Sequence, residues 1–111
     1  MTELEAYRRE IDAIDGELTR LFLRRMEVTG RVGAYKQAHG LPVLDAAREK
    51  DVLARKAALA EGQAAKADVT ALYETILGLS RRQQRKLVTE AGDEGYARIR
   101  AALAGARPPL T

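Results

Sequence analysis

The chain has 111 residues, 46% hydrophobic and 32% charged, with a net charge of +3; this is apolar enough for one packed domain and too apolar for a disordered one. It has no cysteine and one histidine, His39, which excludes a disulfide framework and a thiolate metal site and leaves a histidine site without further imidazoles. The N-terminus enters a charged segment with no apolar leader, and no run approaches about 18 apolar residues, so neither export nor membrane insertion is expected and the cytoplasm is the expected location.

Only three prolines, Pro42, Pro108 and Pro109, interrupt the chain, and aromatic residues make up 5% of it, so an all-α fold is expected. The first helix starts at a capping box, Thr2 with Glu5, and runs to about Gln37. Leu4, Tyr7, Ile11, Ile14, Leu18, Leu21, Arg25, Val28, Val32 and Tyr35 recur along it at spacings of three and four, a heptad stripe in which only Arg25 is charged. Such an arginine either snorkels to the edge of the seam or meets an anion. A helix of this length spans roughly 50 Å, whereas a compact chain of this size has a radius of gyration near 13 Å. Its far half needs a second chain to cover it, and a two-fold homodimer is the simplest arrangement. Gly16, Gly30 and Gly33 lie inside the helix at a cost of up to about 1 kcal/mol each relative to Ala, which close helix approach would explain. Gly40 and Pro42 end it.

Asp45 caps a short second helix carrying Arg48, Glu49, Val52 and Leu53 and expected to end near Glu61-Gly62. A third opens at Asp68, with Val69, Leu72, Ile76 and Leu79 on one face; that stripe turns polar at Ser80, Gln83 and Gln84. Ala91-Gly92-Asp93 then predicts a break, followed by a short fourth helix over 94–104 (Tyr96, Ile99, Leu103) and a loose tail through Pro108 and Pro109. The division expected is a helical domain over 1–91 and an extension over 92–111.

Taken one at a time, the polar residues have plain structural readings. Lys36 is a lysine near a helix C-terminus, Asp45 an N-cap, Arg48 and Glu49 surface residues of a first turn, Ser80 and Gln84 an i,i+4 pair facing water, and Arg8 an exposed arginine. The basic cluster Arg81-Arg82-Gln83-Gln84-Arg85-Lys86 suggests a nucleic-acid patch, but no aromatics interleave it and acidic residues balance most of the chain. A solvated basic face explains it better, and neither nucleic acid nor membrane is an expected partner.

Together these residues form a pattern: Tyr7-Arg8-x-x-Ile11-Asp12-x-Ile14-Asp15-x-x-Leu18-x-x-Leu21-x-x-x-Arg25-Met26, then Val32-x-x-Tyr35-Lys36, then Leu41-Pro42-Val43-x-Asp45-x-x-Arg48-Glu49, then Ser80-x-x-x-Gln84. The pattern resembles the all-helical chorismate mutases over Leu4 to Gln84, with Tyr7 where that family more often has Leu. The resemblance implies an intertwined homodimer of three-helix protomers that rearranges chorismate to prephenate, toward phenylalanine and tyrosine, with no metal or organic cofactor. It also implies roles. Arg8, Arg25 and Ser80 bind the two carboxylates; Lys36 and Gln84 donate to the ether oxygen; Glu49 with Asp45 engages the ring hydroxyl, with Arg48 nearby. Arg25, Lys36 and Gln84 are then the expected catalytic residues, Lys36 and Gln84 at the breaking ether bond and Arg25 as the carboxylate anchor. Arg8 and Arg25 are seventeen residues apart, about 25 Å along one helix, so Arg8 would serve the partner's site. Two rivals accompany this reading: an isochorismate-pyruvate lyase of similar fold, and a non-enzymatic helical dimerisation or nucleic-acid-binding module.

Overall fold

The computed structural model describes the backbone of residues 2–105 and side chains as far as Leu87. Three helices account for nearly all of it: α1 (Glu3–Ala38), α2 (Ala46–Ala57) and α3 (Gln63–Gly105). No helix is long and apolar enough to cross a membrane among the described residues.

The helix ends follow from local chemistry. Thr2 Oγ1 accepts the Glu5 N–H at 3.1 Å and opens α1, relieving one of the orphan donors of the first turn. At the other end Gly40 has φ +64°. Leu41 N–H reaches back to Lys36 O at 2.8 Å and Gly40 N–H to Gln37 O at 3.4 Å, the paired bonds of a Schellman stop. Asp45 Oδ1 accepts the Arg48 N–H at 3.0 Å and opens α2.

Two boundaries differ from the sequence expectation. Helix α2 ends at Ala57 rather than near Glu61, and α3 begins at Gln63 rather than Asp68. The turn between them is set by Gly62 (φ +87°), whose carbonyl accepts the Lys66 N–H at 3.1 Å; the alanines of 63–67 then join the helix at little cost. Lys66 Nζ donates to the Ala57 carbonyl at 3.1 Å and so satisfies the last turn of α2.

The break expected at Ala91-Gly92-Asp93 is not there, and no separate fourth helix follows it, because α3 continues to Gly105. A helical glycine costs only about 1 kcal/mol relative to Ala, and no proline lies between Gln63 and Gly105 to stop the ladder. The amphipathic face read into 94–104 and the tail through Pro108 and Pro109 lie outside the described side chains and residues, respectively.

α3 packs against both α1 and α2. The α1 surface that meets α3 is not the heptad stripe but the small-residue face beside it: Gly30, Gly33 and Ala34 are buried, together with Glu27. A Cβ on Gly33 would stand 2.9 Å from Gln84 Cγ and 3.5 Å from Gln84 Cα, so the two helices touch at near backbone distance. Gly30 faces the Gln83 side chain, whereas Gly16 faces open space within the single chain. Gln83 ties the pair together, its Nε2 donating to Met26 O at 2.8 Å and its Oε1 accepting from Thr29 Oγ1 at 2.9 Å.

The stripe itself stays bare. Leu4, Tyr7, Ile11, Ile14, Leu18 and Leu21 are each more than half exposed. The radius of gyration is 17.5 Å against about 13 Å for a compact chain of this length. The chain exposes 8296 Å², where a folded monomer of this mass exposes about 6100 Å².

Candidate active site

A cavity of about 300 Å³ opens where the C-terminal half of α1, the start of α2 and the middle of α3 meet. Of the residues singled out from the sequence, Arg25, Lys36, Asp45, Arg48, Glu49, Ser80 and Gln84 all line it. Arg8 does not, being exposed near the other end of α1.

Each polar group is held by the fold. Lys36 lies on the stripe side of α1, and its Nζ donates to Gln84 Oε1 at 3.2 Å and to the Val43 carbonyl at 2.7 Å. An ammonium has three donors, so one N–H is left for the cavity. Gln84 is 5% exposed; with its oxygen taken by Lys36, its amide NH₂ remains as a donor. Gly33 makes this pairing possible by letting α3 approach α1 at Gln84. The Val43 contact also ties the loop between α1 and α2 down onto the site.

A turn earlier on α3, Ser80 is 5% exposed, gives its hydroxyl hydrogen to Ile76 O at 3.0 Å and accepts from Arg25 Nη1 at 3.1 Å. Arg25 therefore neither snorkels nor meets a carboxylate among the described residues; it points across to α3 and keeps most of its guanidinium fork unassigned. Val28, Val32, Val43, Val52 and Leu77 supply apolar wall, which lowers the local dielectric and strengthens what the charged groups do. Asp45 keeps its plain role as N-cap of α2 while also lining the cavity. Arg48 lines it too and pairs with Asp51 at 3.5 Å.

Two lining residues were not legible as such. Arg81, taken from the sequence as part of a solvated basic face, donates through Nη1 to Glu49 Oε1 and joins α3 to α2 at the cavity wall. Thr29, between stripe positions, lines the cavity while binding Gln83. A helical wheel of α3 could have found Arg81, since it lies one residue after Ser80 and three before Gln84. Among the described residues no three histidine, cysteine or acidic side chains gather as a metal site would require. Four cationic and two anionic side chains line the cavity, so its excess is positive and suited to an anion of small size.

Three relatives set this geometry in context. The chain is 34% identical over 96 residues to the T-protein of Enterobacter agglomerans, covering 86% of this chain and 24% of that protein. It is 35% identical over 99 residues to the T-protein of Haemophilus influenzae, covering 89% and 25% respectively. It is also 41% identical over 59 residues to the 4-amino-4-deoxychorismate mutase of Streptomyces venezuelae, covering 50% of this chain and 57% of that one. The chain thus spans about a quarter of the length of the T-proteins it matches. No solved structure gives a significant match. Residues 7–85 match the family described as chorismate mutase type II. These residues hold α1 from Tyr7, all of α2, and α3 as far as Arg85, hence every wall of the cavity, and the chain belongs to the type II chorismate mutase family.

Proposed function

We propose that the chain is a chorismate mutase, an isomerase that converts chorismate to prephenate on the route to phenylalanine and tyrosine. The observation that carries this reading is the Lys36–Gln84 pair, hydrogen-bonded at 3.2 Å in an apolar-walled cavity with Ser80, which Arg25 binds, one turn before Gln84. The rearrangement is a single pericyclic step, so the protein must fold a dicarboxylate into its reactive shape and stabilise negative charge growing on the breaking ether oxygen. Positioning and preorganised donors suffice for that. Arg25 with Ser80 binds one carboxylate. The free N–H of Lys36 and the amide of Gln84 donate to the ether oxygen, and their bonds strengthen as charge accumulates there. Glu49 and Asp45 take the ring hydroxyl at the α2 wall, with Arg48 beside them.

The second carboxylate calls for another cation, and the bare stripe suggests its source. A second copy laid along α1 would cover the exposed face from Leu4 to Leu21, account for about 2000 Å² of surface beyond that of a compact monomer, and bring Arg8 of the partner subunit toward this cavity. The functional unit in this reading is an intertwined homodimer with two shared sites. No nucleic acid is needed to balance its modest charge, and the lyase alternative draws no support from the relatives' names.

Adding purified protein to chorismate and following the loss of substrate absorbance with the appearance of prephenate tests the reading. Absence of turnover, together with steeply salt-dependent binding to DNA or RNA, would replace it with the binding-module alternative. One relative is named for the 4-amino analogue, so 4-amino-4-deoxychorismate is the competing substrate to assay alongside.

A further inference from the structure

The chorismate mutase reading gives work to every charged residue of the cavity except Arg81. Its guanidinium binds the Glu49 carboxylate, the two side chains being 28% and 21% exposed, and both line the cavity. We propose that Arg81 is a specificity-determining residue: by neutralising Glu49 it makes the α2 wall a seat for the 4-hydroxyl of chorismate and an unfavourable one for a 4-ammonium. This rests on the reading above, in which Glu49 faces that ring position.

The discrimination is electrostatic. A lone carboxylate in a partly dehydrated cavity attracts a cation strongly and accepts from a hydroxyl more weakly, since attraction between full charges rises as the local dielectric falls. With Glu49 unpaired, an amine protonated at neutral pH would bind there better than a hydroxyl. The pair with Arg81 reverses the preference. The carboxylate keeps a second oxygen as acceptor for an O–H, but its charge is already balanced, and an ammonium brought to it also approaches a guanidinium that cannot lose its proton. Like-charge juxtaposition of this kind is a device for rejecting a wrong ligand. The overall count agrees. Four cations and two anions line the cavity; chorismate carries two negative charges, whereas its 4-amino analogue carries the same two offset by one positive, so removing one cation from the wall shifts the balance toward the analogue.

Arg81 also stands where it can act without touching the reacting atoms. It sits one residue beyond Ser80 and three before Gln84 on α3, and Glu49 lies one turn inside the capped start of α2. The pair therefore fixes the rotamer of Glu49 from the opposite wall, as a positioning residue does.

The test is the ratio of kcat/KM for 4-amino-4-deoxychorismate to that for chorismate, measured on the full chain. Arg81→Met, which keeps length and loses charge, should raise the ratio about tenfold or more, and Arg81→Lys should leave it near wild type. Glu49→Gln, which leaves Arg81 facing a neutral amide, should move it the other way. If Arg81→Met and Arg81→Lys lower both substrates by one common factor, Arg81 is only a strut between helices and the inference is overturned. Should Arg81→Met fail to fold by circular dichroism, the decision falls to Glu49→Gln, where an unmoved ratio overturns it equally. A wild-type chain converting neither compound sinks the mutase reading itself, an outcome distinct from turnover with an insensitive ratio.

Discussion

Along α1 one stripe, apolar but for Arg25, runs from Leu4 to Tyr35, yet the two halves of the helix live in different surroundings. The C-terminal half sets its small-residue face, Gly30, Gly33 and Ala34, into α3. This turns Arg25, Val28, Val32 and Lys36 toward the cavity. The N-terminal half has no such partner among the described residues, and apart from the half-buried Ala6 every one of them from Thr2 to Leu21 is exposed. Apolar periodicity thus marks where a helix wants contact but not with what. In one half the stripe becomes the wall of a site, and in the other it stays uncovered by the described residues.

The largest effect should come from charging the bare half. Leu18 is 56% exposed in the single chain, so a monomer would tolerate Leu18→Asp, since surface changes are usually worth within about 0.5 kcal/mol. In the proposed dimer the same change buries an unpaired carboxylate twice over. Light scattering should then report a monomer, with turnover reduced by more than about a hundredfold because the shared site is lost. A dimeric and active Leu18→Asp protein would erase the contrast between the halves.

Next comes Lys36, on the half that builds the site. Lys36→Ala removes a donor aimed at the ether oxygen and should lower the turnover number by about 10²- to 10³-fold while circular dichroism and dimer mass stay unchanged. Near wild-type turnover would take Lys36 out of the chemistry.

A third experiment joins the halves. Arg8 lies in the bare half and Arg25 in the packed one, about 25 Å apart along the helix. If each cavity draws them from different copies, Arg8→Ala and Arg25→Ala should each be nearly inactive. Refolding an equal mixture should restore roughly a quarter of wild-type activity, because half the dimers then carry one intact site. Mixtures that exchange subunits and stay inactive would confine the site to one chain.

Smaller still is Gly33→Ala. The added methyl gains up to about 1 kcal/mol in helix propensity but meets Gln84 Cγ at 2.9 Å and Cβ at 3.3 Å, and forcing α1 off α3 should cost about 1–3 kcal/mol. A lower melting temperature is expected, with turnover reduced several-fold as Gln84 shifts from Lys36. A stabilised and fully active variant would mean that the close approach is incidental. The smallest effect concerns pH. Position 84 holds an amide with no proton to gain or lose, so the turnover number should vary little between about pH 5 and 8, a range free of any unperturbed Lys, Asp or Glu titration. A steep loss across that range would assign the step to another ionising group.

Much of this could be read from residues alone. Caps at Thr2 and Asp45 and the stop at Gly40 are local events, decided by a side-chain oxygen or a positive φ within a few residues, and they stand in the structure as read. The polar pattern from Arg25 to Gln84 was legible through its resemblance to a family pattern, since taken singly its members have plain structural readings. The boundaries of α3 were not legible, since glycine and aspartate are weak punctuation whose meaning depends on what the helix packs against.

Sequence by itself determined that the chain is helical, where α1 starts and stops, that Arg25 interrupts an apolar stripe, and which family pattern its polar residues follow. Only the tertiary structure decided that the small-residue face, not the stripe, packs on α3, that Gly33 admits Gln84 to Lys36, and that Arg81 leaves the solvated face to hold Glu49. The physical reason is range. Caps and periodicity are set by neighbours within a turn or two, whereas contacts across 32 and 48 residues of chain depend on how closely two helix surfaces approach, and that distance is fixed by packing.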